Sequence, residues 1–358
     1  MDLSKSFYRG AALSFFGLLL LAEVFLRVAV PSGLWHKMFD PSGEMTSLAD
    51  VQDRLRYDVP AGPSVLLLGD SVLGASALVD HRLAGARSKT LSSFLREDLK
   101  AGGLSCLSLG SDGLLLPDIQ GLSSLFSSRP PTQVLILLNF RMFAKDYAQG
   151  PKALSRDFLT PQLSDSLRSR LAPPQPPSQE TLLGDRLYAA FCRHWFLFRE
   201  AQVLKTIWYY PSRTDFFQRL LEKAVGRSPE AEDIAEAALK QKILSFYQAP
   251  VWDPGGVPFE ALGLTLEEWA KLKVPVTVIL TPQNKKFLGS RLDAQSFEKN
   301  RAALASFFKA PSRSNVRYED WSGRFPVDFF FDHCHLTPAG NEQYAKDLAG
   351  ILLGREGK

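Results

Sequence analysis

A chain of 358 residues that is 45% hydrophobic and 22% charged can bury a large core, and its composition is neither fibrous nor disordered. Its 42 basic and 38 acidic residues leave a net charge of only +4, and no basic stripe is interleaved with aromatics, which argues against nucleic-acid binding. Three widely spaced cysteines, Cys106, Cys192 and Cys334, make no CxxC pair and no disulfide framework, so they leave the redox compartment open.

Lys5 and Arg9 precede an apolar run from Ala11 to Val30. A membrane span needs about 20 mostly apolar residues, and this run just meets that length. Glu23 and Arg27 interrupt it, but they stand four apart in the favourable Glu-before-Arg order of a helix. Pro31 and Trp35 close it as a helix stop and an interfacial aromatic. The expectation is a cytoplasmic N-terminus over 1–10, a transmembrane anchor over 11–30, and a single-pass membrane protein whose larger domain lies outside the cytoplasm. The rival readings are a cleaved signal peptide, which lacks a clean small-x-small site here, and a buried soluble helix.

Residues 31–62, with Pro41, Gly43, Pro60 and Gly62, read as a linker. Ser64 to Leu68, Leu104 to Leu109 and Val134 to Leu138 are short apolar runs of the kind buried on both faces of a parallel sheet. Between them lie a helix over Ser88 to Leu99, with Leu91, Phe94, Leu95 and Leu99 at helical spacing, and a short one over 117–126. Val274 to Leu280 is a fourth strand and Asn315 to Tyr318 a possible fifth. Thr337 to Leu353 is a closing helix. The expected fold is α/β, a flavodoxin-like three-layer α/β/α sandwich on a central parallel sheet. Its core runs over 63–144 and 271–358, split by a mostly helical insertion over 145–270 that is too long for a simple crossover.

Gly69-Asp70-Ser71 follows directly on the first strand, where the carboxyl ends of parallel strands form the ligand crevice. Capping of the next helix explains a serine there equally well. Asp332-His333-Cys334-His335 then sets a carboxylate three residues before a histidine, just ahead of the last helix. A serine hydroxyl needs a base, and that base needs an orienting group, so Ser71, His335 and Asp332 are the candidate catalytic residues. This chemistry needs no cofactor. The Asp-His-Cys-His run is not read as a metal site, because adjacent residues rarely all point at one ion and a complete ligand set is absent.

These blocks resemble the SGNH (GDSL-type) hydrolase superfamily. Gly69-Asp70-Ser71 is similar to its first block, and Asp332 to Gly340 to its last. Ser108-Leu109-Gly110-Ser111-Asp112-Gly113 resembles the glycine block, and Leu137-Leu138-Asn139-Phe140 resembles the Gly-x-Asn-Asp block, with Leu137 and Phe140 departing from it. The resemblance implies an oxyanion hole built from the amides of Ser71 and Gly113 and the Asn139 side chain, with Gly110 a rival to Gly113.

An N-terminal span joined to such a domain resembles membrane-anchored bacterial esterases and O-acetyltransferases of the cell envelope, some of which work beside a polytopic membrane acyltransferase. The implied substrate is a carbohydrate or another O-acylated compound. Arg141, Lys145, Asn284 and Lys285 are candidates for contacting it from the crevice rim. Water or a sugar hydroxyl as the acyl acceptor would make the protein a hydrolase or a transferase. The alternative is a catalytically silent SGNH domain that binds glycan or scaffolds an acyltransferase complex.

Overall fold

The computed structural model describes residues 3–29, 62–74, 86–110, 113–143, 163–170, 195–199, 252–289 and 293–355. Lys145, the linker over 31–61, and most of the expected insertion lie outside the described residues. Five strands, β1 (Ser64–Gly69), β2 (Ser105–Gly110), β3 (Gln133–Leu138), β4 (Val276–Leu280) and β5 (Val316–Asp320), form one sheet in the order β2-β1-β3-β4-β5. Every pairing is parallel, with Gly69 opposite Gly110 and Leu68 opposite Ile136. That order is the doubly wound arrangement whose ligand crevice opens where the winding reverses, between β1 and β3.

The two faces of each strand feed two different cores. Leu66 and Leu68 of β1 join a cluster with Ile119 and Leu122 of α3 (Leu116–Ser124) and with Phe259, Leu262, Leu266 and Trp269 of α6 (Val257–Lys271). Val65 and Leu67 face the opposite way. They pack with Leu91, Leu95 and Leu99 of α2 (Leu91–Ala101) and with Ala345, Leu348 and Leu352 of α9 (Pro338–Leu352). Alternation with a period of two sends successive side chains to opposite faces, which makes a strand of near-continuous leucine and valine suit a sheet covered on both sides.

The remaining described helices are α1 (Leu3–Ala29), α4 (Asp165–Arg170), α5 (Phe196–Arg199), α7 (Lys285–Leu288) and α8 (Ala294–Phe308). The expected boundary at residue 270 falls inside α6, which packs on α3 in the core layer. The described end of the 145–270 stretch therefore belongs to the sandwich. The expected strand at Asn315 is a real edge strand that starts one residue later and ends two later, with mostly half-buried side chains.

Helix α1 covers the expected anchor at 11–30. Among its described side chains, Glu23, Leu26 and Ala29 are the buried ones, spaced three residues apart. Glu23 accepts hydrogen bonds from the Phe196 and Leu197 amides at 3.1 and 2.8 Å, and from Arg27 Nε at 2.8 Å. Among the described residues, no helix is long and apolar enough to cross a membrane.

Candidate active site

The chain leaves β1 through a tight turn. A Cβ on Gly69 would stand 2.9 Å from Leu73 Cδ1 and 3.3 Å from Leu137 Cβ, so glycine is what lets the turn fold against the sheet. Gly74, by contrast, has a φ of −95°, open to any residue. Asp70 caps the single 3₁₀ turn of Ser71–Leu73 by accepting from the Val72 amide at 3.3 Å. The capping role expected for this motif therefore falls to Asp70. Ser71 is left to face outward from the sheet end.

The other half of the site is a closed loop between β5 and α9. Phe330 and Leu336 form an antiparallel bridge, and the Phe331 amide donates to the His335 carbonyl at 2.9 Å. Inside that loop Asp332 Oδ1 accepts from the Cys334 and His335 amides, at 2.9 and 2.8 Å. This aspartate turn reverses the chain and aims the following side chains inward. Thr337 then caps α9 by accepting from the Gly340 amide, with Pro338 in the first turn.

The two halves meet. His335 Nε2 lies 2.9 Å from Ser71 Oγ, and His335 Nδ1 lies 2.7 Å from Asp332 Oδ2. Ser71 is 8% exposed, so the hydroxyl sits at the floor of the crevice but is reachable. Burial works against the charge on Asp332, yet His335 and His333 outweigh it and hold the carboxyl far below the usual carboxylate range. Burial likewise opposes a charge on His335, but Cys334 and Asp332 win and raise its pKa well above the ordinary histidine value.

The remaining predicted residues divide. Asn139, buried at the end of β3, donates from Nδ2 to Cys334 Sγ at 3.5 Å and accepts at Oδ1 from the Arg141 amide at 3.3 Å. A carboxamide carries two N–H groups, and the sulfur uses one. Gly110 is committed to packing, since a Cβ there would stand 2.9 Å from Leu73 Cβ. Gly113 has a φ of +80°, a left-handed conformation that favours glycine. The departures at 137 and 140 are core residues: Leu137 is fully buried, and Phe140 stacks on Phe297 at 4.5 Å.

The described residues expected at the crevice rim have partners within the chain. Arg141 makes an ion pair with the fully buried Asp70 at 2.7 Å, tying the end of β3 to the serine turn. Asn284 caps α7, and its own amide donates to the His333 carbonyl at 2.8 Å, bracing the histidine loop. Lys285 pairs with Glu298 at 3.5 Å and lies 4.9 Å over the Phe297 ring.

Cys334 went unassigned by sequence reasoning, and the structure puts it at the centre of the site. Its sulfur lies 3.3 Å from His333 Nε2 and 3.9 Å from His335 Nδ1. Burial raises its pKa, but the two histidines more than offset that and hold the thiol at about 7. The one usable signal was its position between two histidines. Beneath it a cavity of about 10 Å³, room for roughly one water, is lined by Val72, Thr281, Pro282, Cys334, Leu336, Asn341 and Tyr344. Metal donors also converge: ligand atoms of Asp332, His333 and Cys334 all lie within 4.8 Å of one another. The expectation that these neighbours point apart is corrected by the aspartate turn, which folds them onto one another.

No protein-family model matches the sequence. No curated protein matches it either. Among solved structures, the chain is similar to a salicylyl-acyltransferase, SsfX3, from a tetracycline biosynthetic pathway. The match has 11% identity and a TM-score of 0.35, over 83% of this chain and 56% of the other. This chain thus spans little more than half of that neighbour's length, and a likeness at this level assigns neither an activity nor a substrate.

Proposed function

We propose that this chain is a serine-dependent acyl-ester enzyme of the SGNH (GDSL-type) kind, acting outside the cytoplasm on O-acyl groups of a cell-envelope carbohydrate. The observation that carries the reading is the continuous chain from Ser71 Oγ to His335 Nε2 and from His335 Nδ1 to Asp332 Oδ2, at 2.9 and 2.7 Å. Capping or packing alone has no use for such a relay. His335 takes the hydroxyl proton as Ser71 Oγ attacks the ester carbonyl, and Asp332 holds the ring in the tautomer that accepts it. The resulting oxyanion is held by the Ser71 and Gly113 amides and the second Asn139 N–H, each such donor stabilising the transition state by about 3 kcal/mol. His335 returns the proton to the departing alcohol, leaving an acyl ester on Ser71. Water or a sugar hydroxyl, deprotonated by the same histidine, then takes the acyl group.

The extracytoplasmic location rests on α1, whose 27 residues span about 40 Å. Leu18, Leu20, Leu21, Val24 and Val28 are exposed along it. Its interior charges neutralise each other, Glu23 with Arg27 at 2.8 Å, so the helix presents less free charge than its composition implies. A polytopic membrane acyltransferase is the partner this arrangement would serve if the acyl group is handed on to sugar.

A fluorophosphonate probe tests the nucleophile. Labelling of the folded wild type is expected, with a loss of about 10⁴-fold or more in Ser71→Ala. A folded wild type that stays unlabelled, or a Ser71→Ala variant that labels equally, overturns the enzyme reading in favour of a silent glycan-binding domain. Acetyl-ester turnover with and without a polysaccharide acceptor then separates hydrolysis from transfer.

A further inference from the structure

We propose that the Asp332–Cys334 turn is a binding site for a borderline-soft divalent cation, Zn²⁺, and that filling it disarms Ser71. The regulatory half of this proposal rests on the serine-enzyme reading; the binding half does not.

The donors are a thiol, an imidazole and a carboxylate on three successive residues. Cys334 Sγ and His333 Nε2 lie 3.3 Å apart, and an Asp332 oxygen completes a set within 4.8 Å. Zinc–sulfur and zinc–nitrogen bonds of about 2.3 and 2.0 Å set at the tetrahedral angle put their donors roughly 3.5 Å apart. The observed pair is therefore within a few tenths of an ångström of its bound spacing. Thiolate and imidazole donors favour Zn²⁺ over Mg²⁺ or Ca²⁺, which prefer all-oxygen shells. His333 Nδ1 lies 3.5 Å from Asp332 Oδ1. His333 and Cys334 are buried, whereas the Asp332 side chain is 25% exposed and marks the side from which an ion enters.

Binding forms a metal–sulfur bond as the thiol proton leaves to solvent; His333 contributes its Nε2 lone pair, and no electron is transferred. Water fills the fourth position. The consequence follows from shared groups. The carboxylate recruited by the cation is the one that orients His335, and the sulfur is the acceptor of the Asn139 amide. Both the base and the proposed oxyanion donor lose their partners in one event.

The binding half is read on full-length Ser71→Ala protein titrated with Co²⁺, whose thiolate complexes absorb in the near ultraviolet. A charge-transfer band is expected that Zn²⁺ displaces, absent in Cys334→Ala and weakened in His333→Gln. No band in the folded protein, or an unchanged band in folded Cys334→Ala and His333→Gln, overturns the site. The regulatory half is read on wild type by fluorophosphonate labelling with and without Zn²⁺. The rate is expected to fall by about 10²–10⁴-fold, the usual worth of a positioned base, and to recover with a chelator, while Cys334→Ala labels equally with and without the ion. Metal binding with unchanged labelling overturns the disarming. A wild type that never labels overturns the enzyme reading and the disarming, while the cobalt spectrum still decides the site.

Discussion

His335 has Asp332 Oδ2 at 2.7 Å on one nitrogen and Cys334 Sγ at 3.9 Å beside it. Both neighbours favour its protonated form, and they outweigh the burial that opposes it. A general base must be neutral, so a raised pKa postpones activity to higher pH. The rising limb of the labelling rate against pH is therefore expected above the ordinary histidine value of about 6.5. Cys334→Ala removes one of the two stabilising groups, so its limb moves to lower pH while Ser71 stays labelled. A limb unmoved in Cys334→Ala would show that the sulfur does not act on the base. At this scale the sequence exposed Asp332 and His335 because their roles travel with a short spacing on one loop. It concealed Arg141, whose guanidinium answers a carboxylate 71 positions away. It concealed Cys334 for a similar reason, since a thiol's partners are set by how the loop turns back on itself.

At the scale of elements, β1, β3 and β4 were legible because a strand buried on both faces leaves a near-continuous apolar run, whereas β2, an edge strand of Ser-Cys-Leu-Ser-Leu-Gly, shows only a partial one. β5 was nearly invisible: an edge strand of Val-Arg-Tyr-Glu-Asp with half-buried side chains carries no such run. Helix α6 carries Phe259, Leu262, Leu266 and Trp269 at helical spacing, yet distance from the third strand assigned it to the insertion. Only its packing on α3 shows that it is the crossover helix before β4. Helix α3 hides a titration in the same layer. Asp118 is fully buried, and its Oδ2 accepts from the Leu115 amide at 2.9 Å at the start of that helix. Burial, only partly offset by that hydrogen bond, raises its pKa from 3.8 to about 7. Between those values the folded state keeps a proton that the unfolded chain has lost, so stability falls as pH rises through the window and levels off above it. Asp118→Asn keeps an acceptor for Leu115 and removes the titration. Urea unfolding near pH 5 and near pH 8 should show wild type losing up to about 2.6 kcal/mol more than the variant across that interval. Equal losses in the two proteins would place the source of any pH dependence elsewhere.

For the whole molecule, the question is how far the sandwich depends on α1. Neither apolar core contains a residue of that helix. Among the described elements its main packing partner is α5, through the Glu23 carboxylate on the Phe196 and Leu197 amides and the Arg27 guanidinium 5.8 Å from the Phe196 ring. The hydrogen-bonded groups of the Ser71 site come from the ends of β1 and β3 and the loop before α9. The proposed membrane attachment and the proposed serine reactivity should therefore separate cleanly. Full-length protein is expected to sediment with membranes and to need detergent for release. A chain lacking residues 1–29 is expected in the supernatant, with fluorophosphonate labelling of Ser71 retained within a few-fold and its thermal unfolding midpoint close to that of the detergent-released full chain. Two independent sheet faces, each closed by its own helices, supply the core that makes this possible. A truncated chain that folds but still sediments with membranes would remove α1 as the anchor. One that leaves the membrane but loses labelling would mean that α1, working through α5, also supports the crevice.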